Sequence, residues 1–455
     1  MSTKRKADDV STPVATTSSA TPPPDLSPAH KKRKPNDDNG DDKNPPNTPS
    51  ATLDYPSLSR VTSKSVPFQQ PTQLLSFSYD ENHEMEFTDS ALRYYVEPPL
   101  NASLKYGYNH WKRKADTRGR LDSLLHAVSR VKKQGGGPVG EIGLVTWRGI
   151  ITKILTAPYE EREGWDMNVM YVKGTLYLEE HLSDERLHEK NNMDEKHRQQ
   201  TYYGYAFESY CTSDKPVRGQ TDACHPIGWG GDVDTNVQWC SVVRTKLGDT
   251  RMVLGGEVDC VRGKYTGQTD TFVELKTSLT IRGPPDAARF EKKLLKFYFQ
   301  SFLLGVPEIV VGFRTPSGQL TTTQTFKTIQ LPRLVRGKPG AWDPQLCLEW
   351  GHSFLSFLKG ELGNWKAHDE TVPVWRVRFV PRKGVSVEIL DQAGVEDVVG
   401  GEDRVGFLPK WFWDELEESS ITGNEPHIPQ TPRQDGPHRE TGKPTPAVGH
   451  AGWVL

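Results

Sequence analysis

Two stretches decide how this chain is read: Gly255-Gly256-Glu257-Val258-Asp259-Cys260-Val261 and, shortly after, Phe272-Val273-Glu274-Leu275-Lys276-Thr277-Ser278. On a β-strand, residues two apart point to the same face. Glu257 and Asp259 are therefore expected to project together, as are Glu274 and Lys276 on the following strand. If the two strands pair, three carboxylates and one ammonium meet on one patch. An exposed hairpin with alternating charges is the bland alternative. Here, however, the charges sit among Val253, Leu254, Val258, Val261, Phe272, Val273 and Leu275. Strands of that composition are covered on both faces, and charges buried there need partners.

Three acids held close repel one another and call for a compensating cation. All-oxygen ligands of this type suit a hard divalent ion, Mg²⁺ or Mn²⁺. Lys276 adds a fixed positive charge where a phosphate would sit, and a position from which to orient a water. The metal would lower the pKa of that water and stabilise charge on phosphoryl oxygens. An acid followed by Glu-x-Lys on a neighbouring strand resembles the PD-(D/E)xK nucleases.

Outward from the cluster, segments 237–247, 251–261 and 271–281 read as three strands of an antiparallel meander, separated by Gly248-Asp249 and a glycine-containing loop. Residues 118–133 place Leu121, Leu124, Leu125, Val128 and Val131 at helical spacing. A second helix is expected over 147–156 and a third around Tyr203, Phe207 and Tyr210. Pro284-Pro285 opens a long helix over 286–304 that stops at Gly305, and Asp343-Pro344 starts another. Glu308–Phe313 reads as a buried strand, and 372–380 with 384–390 as a hairpin. There is no repeat and no strict βαβ rhythm. The expected fold class is α+β, with mixed, largely antiparallel sheets flanked by helices.

The ends differ in composition. Residues 1–66 are rich in Ser, Thr, Pro, Asp and Lys, too poor in apolar side chains to offset the entropy of ordering, and read as a disordered tail. Its clusters Lys4-Arg5-Lys6 and Lys31-Lys32-Arg33-Lys34 suit a nuclear-import signal or a plain solvated tail. Residues 67–417 are expected to form a single catalytic domain and 418–455 a loose tail. The net charge of −2 leaves any attraction for phosphate to local patches. Five cysteines without a CxxC pair argue against a disulfide framework or zinc ribbon, and the thirteen histidines show no metal-ligand spacing. Without a long apolar run or a hydrophobic leader, an intracellular, soluble and, given the basic clusters, nuclear protein is expected.

The order of motifs carries a more specific resemblance. ALRYY (91–95), VTWRG (145–149), GYAFE (204–208), GEVDC (256–260), VELKTS (273–278) and KFYFQSF (296–302) follow one another as in the DXO/Rai family of RNA 5′-end decapping enzymes. GVPEIVVGFR (305–314) and FLP (407–409) agree as well, and the fungal Rai branch is the nearest in pattern. The resemblance implies that Glu208, Glu257, Asp259 and Glu274 bind metal with the carbonyl of Leu275. Lys276 would hold the scissile phosphate or the attacking water. Arg148 and Gln300 would contact phosphate, and Cys240 would lie on a substrate-lining strand. It also implies substrates with a 5′-triphosphate, an incomplete cap or an NAD cap, and a partner, the nuclear Rat/Xrn-type 5′-to-3′ exoribonuclease. Two other readings remain open on the residues: a DNA-directed nuclease with the same metal logic, and a mainly non-catalytic stabiliser of the exoribonuclease. Two segments are left undecided: the long loop 212–234, and the basic, aromatic stretch Tyr106–Arg120, a guide for single-stranded RNA or a solvated linker.

Overall fold

Where the two motif strands pair depends on a break in the chain between them. The computed structural model describes residues 51–56, 65–135, 142–219, 222–365 and 372–422. Its strands, in chain order, are β1 (Ala51–Asp54), β2 (Phe68–Tyr79), β3 (Met85–Glu86), β4 (Tyr94–Tyr95), β5 (Leu144–Trp147) and β6 (Trp165–Val172). Then come β7 (Thr175–His181), β8 (Thr212–Ser213), β9 (Gln238–Leu247), β10 (Thr250–Glu257), β11 (Cys260–Val261) and β12 (Phe272–Leu279). The last main strands are β13 (Glu308–Arg314), β14 (Leu320–Lys327), β15 (Trp375–Val380) and β16 (Gly384–Ile389). The helices used below are α1 (Asp122–Lys133), α2 (Arg148–Thr156), α3 (Asp184–Asn191), α4 (Glu195–Cys211) and α5 (Pro284–Leu304). They are followed by α6 (Leu331–Val335), α7 (Pro344–Gly363), α8 (Gln392–Val399) and α9 (Lys410–Thr422).

These elements build two mixed sheets. The larger has ten strands in the order β1-β16-β15-β6-β7-β5-β10-β9-β2-β3, and the smaller six in the order β14-β13-β12-β11-β4-β8. The α+β class with mixed, mainly antiparallel sheets is as expected. The single meander is not. β9 and β10 pair antiparallel in the large sheet, but β10 ends at Glu257, and Cys260 and Val261 cross to the small sheet to pair with β12. A period of two fixes which face a residue takes, not which strand it pairs with.

Adjacent residues of β10 face opposite ways and set the layers. Leu254 packs in a core with Ile150 and Ile154 of α2, Leu294 and Phe302 of α5 and Phe354 of α7. Val253 packs on the other side, with Leu124 and Val128 of α1 and Phe412 of α9. The small sheet shares the first core through Ile309 and Val311 of β13, and covers its other face with Tyr203 and Phe207 of α4. Each such fully buried side chain contributes on the order of 1.5–3 kcal/mol. α5 starts on Pro284-Pro285 and ends at Gly305, whose φ of 73° closes the helix in the left-handed conformation.

The tail boundaries shift. Ala51–Asp54, read as part of a disordered tail, is an edge strand paired with Gly384–Val387, and Leu53 and Tyr55 pack on the core. Its backbone ladder and two apolar side chains supply what composition averaged over the tail concealed. At the other end α9 runs past the expected boundary at 417 to Thr422. Both basic clusters, Gly136, Gly137 and residues 423–455 lie outside the described residues. Among the described residues no helix is long and apolar enough to cross a membrane.

One buried polar network ties the large sheet together. Glu179 of β7 is 2% exposed. Its Oε1 accepts from Arg120 Nη1 and from Asn168 Nδ2, both at 3.0 Å. Arg376 in turn donates to Asn168 Oδ1. Among the described residues Glu179 Oε2 has no hydrogen-bond partner. Burial pushes this carboxyl up to about 7 in spite of Arg120 beside it.

Candidate active site

The break after β10 builds the site. Glu257 closes the large-sheet strand, and Cys260 opens the small-sheet one. Asp259 therefore sits on the short crossing between two sheets. Val258 N–H still reaches Trp239 O at 3.0 Å, so the crossing stays tied to β9. Glu257 stands opposite Cys240 on β9, and Gln238 Nε2 donates to Glu257 Oε2 at 2.9 Å.

On β12, Glu274 and Lys276 share a face, as their spacing requires. Glu274 is 1% exposed, and Lys276 Nζ lies 2.5 Å from its Oε1 and 4.0 Å from Asp259 Oδ2. That same Asp259 oxygen accepts the Leu275 N–H at 2.6 Å, which locks the crossing onto β12. Glu257 and Asp259 thus meet Glu274 and Lys276 across a junction of sheets, rather than across one paired hairpin.

Arg148 enters from the large sheet as the first residue of α2, directly after β5. Its Nη1 lies 3.3 Å from Glu274 Oε2 and donates to the Gln300 carbonyl at 3.0 Å, while Nη2 reaches the Glu257 carbonyl at 3.3 Å. Gly256 makes this approach possible. A Cβ there would stand 3.0 Å from Arg148 Cβ and 2.9 Å from Leu304 Cδ1.

α4 delivers Glu208. Asp194 caps the helix by accepting the His197 N–H at 3.0 Å. Tyr203 and Phe207 then bury one stripe against the small sheet. Phe207 lies over Gly312 of β13, where any Cβ would overlap the ring. Glu208, next in sequence, is left half-buried at the edge of that contact. It lines a cleft of about 520 Å³ together with Tyr205, Gln238, Glu257 and Asp259.

Four carboxylates thus gather around two cations, Arg148 and Lys276; Glu274 contacts both, and Asp259 lies 4.0 Å from Lys276. The electrostatics reports the imbalance. Burial, then repulsion from Asp259 and Glu257, raises the Glu208 carboxyl well above its ordinary range. Burial, then Glu274, pushes Asp259 up to about 7, and burial raises Glu257. Glu274 is the exception. Burial would raise it, but Lys276 and Arg148 outweigh that and hold it low. A site with surplus negative charge and only oxygen donors fits a hard divalent cation. Among the described residues no three acidic, His or Cys side chains are already closed into a coordination shell. Lys276, Gln238 and the Leu275 amide hold the carboxylate oxygens instead.

The remaining candidates fall nearby in different ways. Gln300 brings its backbone carbonyl to Arg148. Lys296, one turn earlier on the same helix, points outward to Glu160. Cys240 is buried opposite Glu257 on the paired strand, and burial followed by Glu257 drives its thiol upward. The segment Tyr106–Arg120 is packed against the fold and is not a loose linker. Trp111 packs on Tyr202 and Tyr205 of α4, Arg113 pairs with Asp116, and Arg118 with Asp184 and Asp397. Loop 212–234 contributes Thr212, Gly230 and Asp234 to the cleft wall. Sequence reasoning passed over Gln238. Its signal was position: two residues before Cys240, it shares the strand face that looks at Glu257.

Comparison with known proteins gives the site a context. Residues 69–413 match a family described as RAI1 like PD-(D/E)XK nuclease. A protein of Mycosarcoma maydis named decapping nuclease RAI1 is 38% identical over 448 residues, covering 77% of this chain and 88% of that protein. Among solved structures, Candida albicans Rai1 in complex with pU5-Mn²⁺ superposes with a TM-score of 0.69 at 25% identity, covering 81% of this chain and 99% of that one. Scheffersomyces stipitis Rai1, in complex with (3′-NADP)⁺ and a calcium ion, gives a TM-score of 0.65 at 25% identity, covering 79% and 97%.

Proposed function

The chain belongs to the RAI1-like PD-(D/E)XK nuclease family, and from that premise we propose that it is a divalent-metal-dependent decapping nuclease that hydrolyses phosphate bonds at RNA 5′ ends. The observation that carries this reading is the junction itself. Glu208, Glu257 and Asp259 line an open cleft, and Glu274, with Arg148 and Lys276 against it, is buried next to Asp259.

Glu208, Asp259, Glu274 and Glu257, with the Leu275 carbonyl, would hold the cation. Bound there, it supplies charge stabilisation on the phosphoryl group and a more acidic water. Lys276 places an ammonium against Glu274 and Asp259, where it holds a phosphoryl oxygen or orients the attacking water. Arg148 is fixed by two carbonyls and Glu274, so its guanidinium presents charge to phosphate at little further entropic cost. Among the described residues, Arg148 and Lys276 are the cations in ion-pair contact with these four acids, which leaves surplus negative charge for a metal.

The end groups proposed are a 5′-triphosphate, with pyrophosphate released, and incomplete or NAD caps. The complexes of two fungal relatives, one with pU5 and one with (3′-NADP)⁺, support an RNA end and a dinucleotide as ligands of such a site. The test is a panel of one RNA sequence bearing each end, beside DNA of the same sequence, with released products resolved. Cleavage of the RNA ends and not of DNA is expected, whereas equal cleavage of DNA would replace the reading by a DNA-directed nuclease.

Two further parts rest on the family resemblance and on composition. One is binding to a Rat/Xrn-type exoribonuclease, through a surface on the order of 800 Å² that need not overlap the cleft. The other is a nuclear location directed by the basic clusters. A pull-down with the Glu274→Gln and Lys276→Ala variants tests the first, since folded variants that lose the partner together with activity would refute separate surfaces. Full nuclear accumulation of a chain lacking residues 1–46 would refute the second.

A further inference from the structure

We infer that Lys114, aimed by His83, is an additional substrate-binding cation of this site, reading the phosphates of the RNA 5′ end beyond the one held at the metal cluster. The inference rests on the proposed reaction and begins from three neighbouring cations. Lys112 pairs with Asp234 and Glu81, and Arg113 with Asp116. Lys114 differs from both. Among the described residues no carboxylate lies within ion-pair distance of its ammonium, which instead donates to His83 Nε2.

The tautomer of His83 follows from its other nitrogen. Nδ1 faces the Asn236 carbonyl at 2.9 Å, and a carbonyl only accepts, so Nδ1 carries the proton. Nε2 of the neutral ring then has a lone pair for Lys114 and no charge to cancel it. The ring is held firmly. It stacks on Tyr79 with centroids 3.9 Å apart, and Lys114 Nζ sits 5.9 Å from the Tyr79 centroid.

The backbone is built to keep this arrangement. His83 adopts φ 61°, a conformation that costs a side-chain-bearing residue energy. Asp80 secures the turn by accepting the N–H groups of Asn82 and Glu84 at 2.9 and 2.8 Å. Lys114 N–H donates to Thr235 Oγ1 at 2.8 Å, and Lys112 bridges Asp234 alongside. A strained residue and a fixed backbone thus present one ammonium whose charge is not spent locally.

The surroundings of Lys114 border the site: Lys112, two residues earlier, and Glu81, in the same turn as His83, line the cleft with Glu257 and Asp259. Glu257 and Cys240 are the charged and titratable groups that act most on Lys114, and Lys114 in turn helps to restrain Glu257. Tyr79 lies opposite Gln238 on the paired strand, the residue that donates to Glu257. Lys114 and Lys276 thus both act on Glu257. A single phosphate engaged by Lys276 and Arg148 leaves Lys114 unsatisfied, but the next phosphates of a triphosphate or dinucleotide cap would meet it. His83 is a positioning residue, and Lys114 touches substrate.

The test uses the full chain and one RNA oligonucleotide prepared with a 5′-triphosphate or a 5′-hydroxyl. Binding is measured in Ca²⁺ and hydrolysis in Mn²⁺, at two ionic strengths. Lys114→Met should weaken binding of the triphosphate RNA about tenfold or more, as expected for one charged hydrogen bond. It should also flatten the salt dependence and leave 5′-hydroxyl RNA within about twofold. Lys114→Arg should recover most of the affinity, and His83→Gln should give an intermediate loss in KM more than in kcat. Triphosphate binding unchanged in Lys114→Met, or equal losses on both RNAs, would overturn the inference. Absence of any 5′-end hydrolysis by the unaltered protein would instead remove the proposed reaction, so the two failures are distinguishable.

Discussion

The guanidinium of Arg148 and the carboxylate of Glu274 stand 3.3 Å apart, one delivered by the large sheet and the other by the small. This pair joins the two halves of the site, since Arg148 also holds carbonyls of Glu257 and Gln300. Arg148→Met should lower kcat by about 10²–10³, the usual cost of losing one preorganised donor to developing charge. Because Glu274 keeps Lys276, the loss of stability should stay near about 1–3 kcal/mol. Steady-state kinetics and urea unfolding on one preparation measure both. A variant with nearly full kcat would mean that Arg148 only braces the fold.

Asp259→Asn removes one of four crowded acids. Without metal the variant should be as stable as the parent protein or more so, because repulsion with Glu274 and Glu208 is relieved. With Mn²⁺ at about a hundredfold over its Kd the parent should gain about 2.7 kcal/mol, and the variant much less. Thermal melts with and without Mn²⁺ decide the matter. Equal metal-induced shifts in both proteins would exclude Asp259 as a ligand.

Glu257, Asp259, Glu274 and Lys276 were legible because period-two spacing and an apolar setting are local signals. The crossing at Val258-Asp259 was not, since the partner of a strand is set by residues far away in sequence. The β6–β7 hairpin was missed although its turn is marked: Lys173 and Gly174 both have positive φ, at 50° and 83°, the pattern of a tight two-residue turn. Glu208 and Arg148 had no local signature beyond an aromatic stripe and a helix start. The ordered family motifs singled them out. Lys114 looked like one more charge in a basic run, and only the ion pairs of its neighbours set it apart.

Gly312 is required by packing more than by conformation. A methyl group there would drive Phe207 off the small sheet and carry Glu208 with it. Gly312→Ala should cost about 1–3 kcal/mol in stability. It should also reduce kcat at temperatures where the protein is still fully folded. Full activity in a destabilised variant would show that α4 can shift without moving Glu208.

Glu179 gives the fold a pH dependence separate from the active site. Its carboxyl is raised from 4.5 to about 7 by burial, so the folded protein binds this proton more tightly than the unfolded chain. That contribution is complete below pH 4.5 and is lost as pH rises toward 7, by about 3 kcal/mol. Glu179→Gln should flatten the decline. Unfolding free energies at pH 5 and pH 8 test this, and parallel slopes in the two proteins would contradict it.

The central claim is that the acids at the junction of the two sheets hold a metal that hydrolyses RNA 5′ ends. Its most direct measurement is conversion of 5′-triphosphate RNA to 5′-monophosphate RNA with release of pyrophosphate. It should be followed with Mn²⁺, with excess EDTA, and with Asp259→Asn in Mn²⁺. The account predicts rapid conversion in the first case and loss of about 10³-fold or more in the other two. Conversion that persists in EDTA, or at near parental rate in folded Asp259→Asn, would contradict it.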